Sequence, residues 1–141
     1  MKKIILTLLM VPAFVGMLCS CSESKTDAKK LDGKWNIVEV NGNKIEKEGL
    51  PTLEFDMNEK KVHGNPGCNL FNSSVTLDDK DVSALTIAPG AMTMMACPDM
   101  ALEDAVVKAI GEVKAVKAGQ TESEMLLVDA DGKVLLVLSK N

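Results

Sequence analysis

The chain has 141 residues, 46% hydrophobic and 26% charged, which is the make-up of one globular domain and not of a disordered chain. All 16 basic residues are lysine, set against 20 acidic ones, so the net charge is −4 and becomes two units more negative if Lys2 and Lys3 are removed. An acidic chain without arginine has no guanidinium fork for phosphate, which argues against nucleic acid; one histidine and no tyrosine argue against most enzymes working by acid–base chemistry near neutral pH.

Met1-Lys2-Lys3 is a basic start, and Ile4 to Leu18 is an uncharged, largely apolar run of 15 residues. That run is short for a bilayer span and right for the core of a signal peptide. It leads into Leu18-Cys19-Ser20-Cys21. A leucine three residues before Cys21, with a small serine directly before it, resembles the lipobox of bacterial lipoproteins, in which the cysteine is acylated and becomes the N-terminus. Cys19 fits badly, because Leu18 stands where a small residue is needed. Residues 1–20 are therefore expected to be a lipoprotein signal peptide and Cys21 the lipidation site. The plainer alternative is an ordinary secretory signal with an incidental cysteine. Several acyl chains on one cysteine anchor stably, at about 0.8 kcal/mol per buried methylene. Residues 22–30 have no large apolar side chain, so 21–30 reads as a lipidated flexible tether. Residues 31–141 are then one domain in an oxidising envelope.

Within that domain, Lys34 to Val40 is strand-like and Asn41-Gly42 is a hairpin turn. Thr52 to Met57 alternates strictly, with Leu53, Phe55 and Met57 on one side and Glu54 and Asp56 on the other. Asn58-Glu59 turns the chain into Lys60 to His63, and Gly64 to Gly67 is loop chemistry. Phe71, Ser73, Val75 and Leu77 share one face of a further strand, and Val82 to Ala88 is a less regular one. Asp99 is a helix N-cap, followed by an apolar stripe of Leu102, Ala105, Val106, Ala109, Ile110 and Val113 at helical spacing. Glu103 and Asp104 fall in its first turn, where the helix dipole favours anions, and Gly111 marks its expected end. Val113 to Ala118, Met125 to Val128 and Val134 to Leu138 complete the strands, the last two joined by Asp131-Gly132. Seven or eight short strands and one helix predict an α+β fold. The sheet is antiparallel and curls into a partly open β-barrel, with the helix packed against an opening.

Two segments are more distinctive: Val62 to Phe71, containing Gly67-Cys68-Asn69-Leu70-Phe71, and Met92 to Pro98, containing Thr93-Met94-Met95-Ala96-Cys97. Together with Leu31-Asp32-Gly33-Lys34-Trp35, the Pro51 to Phe55 strand and Glu103, they resemble the META/HslJ family of small bacterial envelope proteins over about residues 31–138. The chain departs from the family at Ser73, Ser74 and Val75, where members often carry a glycine and an aromatic residue. The resemblance implies the same barrel-and-helix fold and a link, in some members, to heat shock and novobiocin resistance. It implies no catalytic activity.

Cys68 and Cys97 are read either as a disulfide, closing a loop of about 30 residues, or as two buried thiols. A redox pair is disfavoured by the lack of a Cys-x-x-Cys spacing and of basic neighbours. A zinc site from His63, Cys68 and Cys97, or a Cys68 nucleophile with His63 as base, would need a convergence that the spacing does not announce. His63 reads as a surface strand residue. Met92, Met94, Met95 and Met100 could offer soft sulfur to Cu(I), but the favoured reading is core filling beneath the helix. Asp129 to Gly132 lacks the length of a calcium loop. Gly67 is expected to supply a positive φ, and Asn69 to fix its own turn through nearby backbone. No catalytic residue, metal or cofactor is expected.

The expectation for function is a monomeric, non-enzymatic, lipid-anchored envelope protein. It would bind a protein or small ligand through loops 64–72 and 90–98, with Gly67, Cys68, Asn69, Phe71, Thr93, Met94, Met95 and Cys97 as the motif positions. Alternatives are a carrier holding an apolar molecule in the barrel, and a metal or thiol module at Cys68 and Cys97.

Overall fold

The computed structural model describes residues 25–140. The expected signal peptide, Cys21 and Ser22 to Ser24 lie outside the described residues. The strands in chain order are β1 (Gly33–Val40), β2 (Asn43–Lys44), β3 (Thr52–Asp56), β4 (Lys61–Asn65), β5 (Phe71–Leu77), β6 (Leu85–Ile87) and β7 (Ala91–Met92). After helix α1 (Met100–Glu112) come β8 (Ala115–Ala118), β9 (Glu124–Val128) and β10 (Val134–Ser139).

Eight strands form one path in the order β6-β5-β4-β3-β1-β10-β9-β8, with neighbours antiparallel; β2 adds to β1 and β7 to β5. The two ends of the path meet. Ala84 bridges to Ala115, the Leu85 N–H donates to the Lys114 carbonyl at 3.1 Å, and the Val116 N–H donates to the Ser83 carbonyl at 2.9 Å. The sheet is therefore a nearly closed antiparallel barrel with one helix, as the strand spacing predicts. Register shifts between Ile37 and Glu39 and between Val134 and Leu136 bend the sheet where β1 and β10 meet their neighbours.

Alternation decides which side chains go inward. Leu53 and Phe55 are buried while Glu54 between them is exposed. Asn41 and Gly42 both take positive φ, 49° and 82°, so the Asn-Gly pair makes the hairpin into β2. Trp35, Ile37, Phe55, Leu127, Leu136 and Leu138 fill the interior, and the Trp35 indole N–H donates to the Leu31 carbonyl at 2.7 Å. The α1 stripe of Val106, Ala109 and Ile110 is buried, and α1 packs on β10, β6 and β1. Asp99 caps α1 by accepting from the Leu102 N–H at 3.5 Å. The helix runs on through Gly111 to Glu112, because the apolar stripe continues to the fully packed Val113.

The N-terminal boundary of the folded body lies earlier than residue 31. A short 3-10 helix, Ala28–Leu31, is capped by the Asp27 carboxylate, which accepts from the Lys29 N–H at 2.9 Å. Ala28 and Leu31 are buried. The Ala28 N–H donates to the Val82 carbonyl at 2.8 Å, and the Lys25 ammonium donates to Asp81 at 2.7 Å. An alanine needs little space to reach a core. Composition alone therefore hid the fact that Ala28 packs into the barrel and that Lys25 is tied to Asp81.

Candidate functional site

β7 pairs with the start of β5, setting Phe71 opposite Met92 and Asn72 opposite Ala91. This register brings the loop before β5 against the loop after β7. The Thr93 N–H donates to the Leu70 carbonyl at 3.1 Å, and the Leu70 N–H donates to Thr93 Oγ1 at 2.9 Å. Gly90 permits the turn into β7, since a side chain there would meet the Phe71 ring and the Asn72 carbonyl.

Asn69 is the centre of the arrangement. It is 2% exposed, and Glu103 in the first turn of α1 is 1% exposed. Asn69 Oδ1 accepts from the Met95 N–H at 2.7 Å and the Thr93 hydroxyl at 2.9 Å. Its Nδ2 donates to Glu103 Oε2 at 2.9 Å and to the Met95 carbonyl at 3.4 Å. Its backbone N–H donates to Glu103 Oε1 at 2.8 Å. Both lone pairs and both protons of the amide are thus used, and each carboxylate oxygen has a donor. The position of Glu103 at the helix start adds the favourable field of the dipole. This ties the amide across 24, 26 and 34 residues of sequence, not to its own turn. The local turn is held instead by Asn65, whose Oδ1 accepts from the Gly67 N–H at 2.9 Å and whose Nδ2 donates to the Cys68 carbonyl at 3.3 Å.

Cys68 and Cys97 are joined as a disulfide, with Cα atoms 6.3 Å apart, so the pair closes the two loops on each other. The bond forms one wall of an open recess of about 600 Å³ with Lys47, Asp99 and Pro98. Gly67 does not take positive φ. Its value is proximity: a Cβ there would stand 3.0 Å from Glu103 Cβ and 3.3 Å from its Cα. Phe71 is buried in the core.

The methionines are where the structure departs most from expectation. Met92 is partly buried against the core, but Met94 is 94% exposed, Met95 54% and Met100 36%, beside Leu70 at 59%. They do not fill the space beneath the helix start, because the Asn69–Glu103 network occupies it. With the loop backbone bonded to Asn69, the Met94 and Met95 side chains are left facing solvent.

His63 lies on the outer face of β4, half exposed, with Nε2 3.4 Å from Glu54 Oε2. Lys34, Glu54, His63 and Asn72 stand in register across four strands and line a shallow recess of about 240 Å³. Among the described residues no group of three or more His, Cys, Asp or Glu could hold a metal ion, and no helix is long and apolar enough to cross a membrane.

The META domain family model matches residues 28–141. The chain belongs to the META domain family. This META domain is similar in fold to an NMR structure of a protein from Burkholderia xenovorans, with a TM-score of 0.60 and 19% identity over 100% of this chain and 99% of that one. It is also similar to the crystal structure of a DUF4847 family protein from Bacteroides vulgatus ATCC 8482, with a TM-score of 0.55 and 13% identity over 79% of this chain and 94% of that one. No curated protein is matched.

The structure brings together Gly67, Cys68, Asn69, Thr93, Met95 and Cys97 of the motif positions, and adds Glu103 as the group that satisfies Asn69. The signal for Glu103 was its place in the first helical turn, which explains a charge there but does not name a partner 34 residues away. Asn65 carried no signal beyond loop composition. The polar atoms of Asn69 and Glu103 serve to hold two loops and a helix start in one rigid shape, with thioethers and a leucine on its outer rim.

Proposed function

We propose that this META domain protein is a non-enzymatic binding module, held to the bacterial envelope by lipid on Cys21. In this reading it docks a protein or small ligand on its motif loops as part of an envelope stress or drug-resistance response. The observation that carries the docking reading is the exposed rim of Leu70, Met94 and Met95 fixed from beneath by the buried Asn69–Glu103 pair and the Cys68–Cys97 bond. A loop held in this way loses little conformational freedom when it binds. Leu70 and Thr93 are bonded to each other, so the three exposed apolar side chains are carried on two joined loops, and apolar surface of this kind is a feature of interaction sites.

The direction of display supports the same reading. Lys25 is bonded to Asp81 in the loop beyond the Leu77 end of β5, whereas the motif loops adjoin its Phe71 end. Four residues of chain reach at most about 14 Å, so lipid on Cys21 would hold the Lys25 end near the bilayer. The motif loops adjoin the other end of that seven-residue strand, about 20 Å along it, so they are not the part of the domain that the tether ties down. The packed interior, with Trp35, Phe55 and Leu136 at its centre, counts against the apolar-carrier alternative.

Two experiments test the proposal. Intact-mass analysis of the membrane-purified protein should show a chain that begins at Cys21 and carries acyl chains there, and an unacylated residue 21 overturns the anchor. A photo-crosslinking residue at position 94 should give discrete adducts in intact cells, while one at position 79 gives few. Equal labelling at both positions overturns the motif loops as the docking face.

A further inference from the structure

We propose that Met94 and Met95 form an oxidant-responsive modification site, in which conversion of their thioethers to sulfoxides switches the motif rim from apolar to polar without unfolding the domain. This rests on the docking reading of that rim.

Accessibility separates the described methionines. Met94 and Met95 stand out in solvent, Met100 is at the margin, and Met92 is partly covered. Met57 and Met125 are buried, at 9% and 6% exposure. A thioether reacts when a peroxide or hypohalous acid reaches its lone pair, so attack should follow this order. The sulfur donates an electron pair to the terminal oxygen of hydrogen peroxide, the O–O bond breaks, and a proton shift leaves one sulfoxide and one water. The thioether is oxidised and the peroxide is reduced. A dithiol-dependent sulfoxide reductase reverses the step, with the dithiol becoming a disulfide and the oxygen leaving as water.

The fold is suited to surviving this change. Met95 meets Asn69 only through its backbone N–H and carbonyl in the bonds described above, and these contain no sulfur. Thr93 and the Cys68–Cys97 bond hold the loop on either side of Met94. Oxidation in a packed core disrupts it; here the altered side chains lie outside the structure that holds them. Leu70 on the same rim does not oxidise, and Met100, at 36% exposure, should react after Met94 and Met95 and before the buried Met57 and Met125.

The test treats the full-length protein with graded hydrogen peroxide. Peptide mapping by mass spectrometry should show one oxygen on Met94 and one on Met95 well before any on Met57 or Met125. Circular dichroism should stay native at that point, and fluorescence of bound bis-ANS should fall at least twofold. The double substitution Met94→Leu/Met95→Leu keeps the rim apolar and should bind bis-ANS before and after treatment. Oxidation of Met57 and Met125 at the same rate overturns the site, and so does loss of native structure on oxidation of Met94 and Met95. A wild-type dye signal that ignores their oxidation overturns the switch. The docking reading is judged separately by crosslinking at position 94, which does not depend on the oxidant.

Discussion

Glu103 is the residue on which the motif loops depend. Replacing it with alanine leaves the Asn69 N–H and one amide proton buried without acceptors, and should destabilise the domain by about 2–4 kcal/mol in urea denaturation. Glu103→Gln keeps an acceptor oxygen and should lose less; equal losses would mean that the carboxylate is a packing element only. Gly67→Ala tests the close approach to Glu103 and should cost about 1–2 kcal/mol, because α1 must shift by a few tenths of an ångström. From sequence, Asn69 was legible as an architectural position, expected to fix its own turn through nearby backbone. Its partners were not legible, because they come from 24, 26 and 34 residues away and only the packing of α1 and β7 selects them.

Among the elements, two attachments outside the sheet ladder make separate predictions. Reducing Cys68–Cys97, or replacing both cysteines with serine, should lower stability by about 3–4 kcal/mol in the chain-entropy model for a separation of 29 residues. Urea midpoints with and without a reductant measure it, and an unchanged midpoint would show that the Asn69–Glu103 network alone fixes the loops. The second attachment is the N-terminal strap. The Lys25 ammonium, with help from the Ser83 hydroxyl and N–H, holds the Asp81 carboxyl down at about 2, against an ordinary value of 3.8. A lowered carboxylate pKa favours the folded state above pH 3.8, and this contribution is lost as pH falls from 3.8 through 2. Carboxyl NMR should follow that titration, and Lys25→Ala should return Asp81 towards the ordinary value. The pair is exposed, so added salt should weaken the effect. The helix and main strands were legible from their periods of 3.6 and 2. Strands of two residues, such as β2 and β7, contain a single period with no repeat and were not.

For the whole molecule, the boundary of the folded body is the testable quantity. A chain beginning at residue 25 should keep full stability. One beginning at residue 32 loses buried Ala28 and Leu31 and the acceptor of the Trp35 indole, and should be weaker by about 3 kcal/mol in urea denaturation. Equal stability of the two would place the boundary back at residue 31. The sequence by itself determined the class of the molecule: alternating strands, turn residues at fixed offsets and one amphipathic helix leave an antiparallel curled sheet as the way to bury one continuous apolar face. It also determined that Cys68 and Cys97 had each other as possible partners within the domain. The tertiary structure alone decided that they bond, that Glu103 faces Asn69, and that the methionines face water. Each of these depends on where distant segments meet, and hydrophobic period carries information about a segment's own faces but not about which remote residue lies opposite.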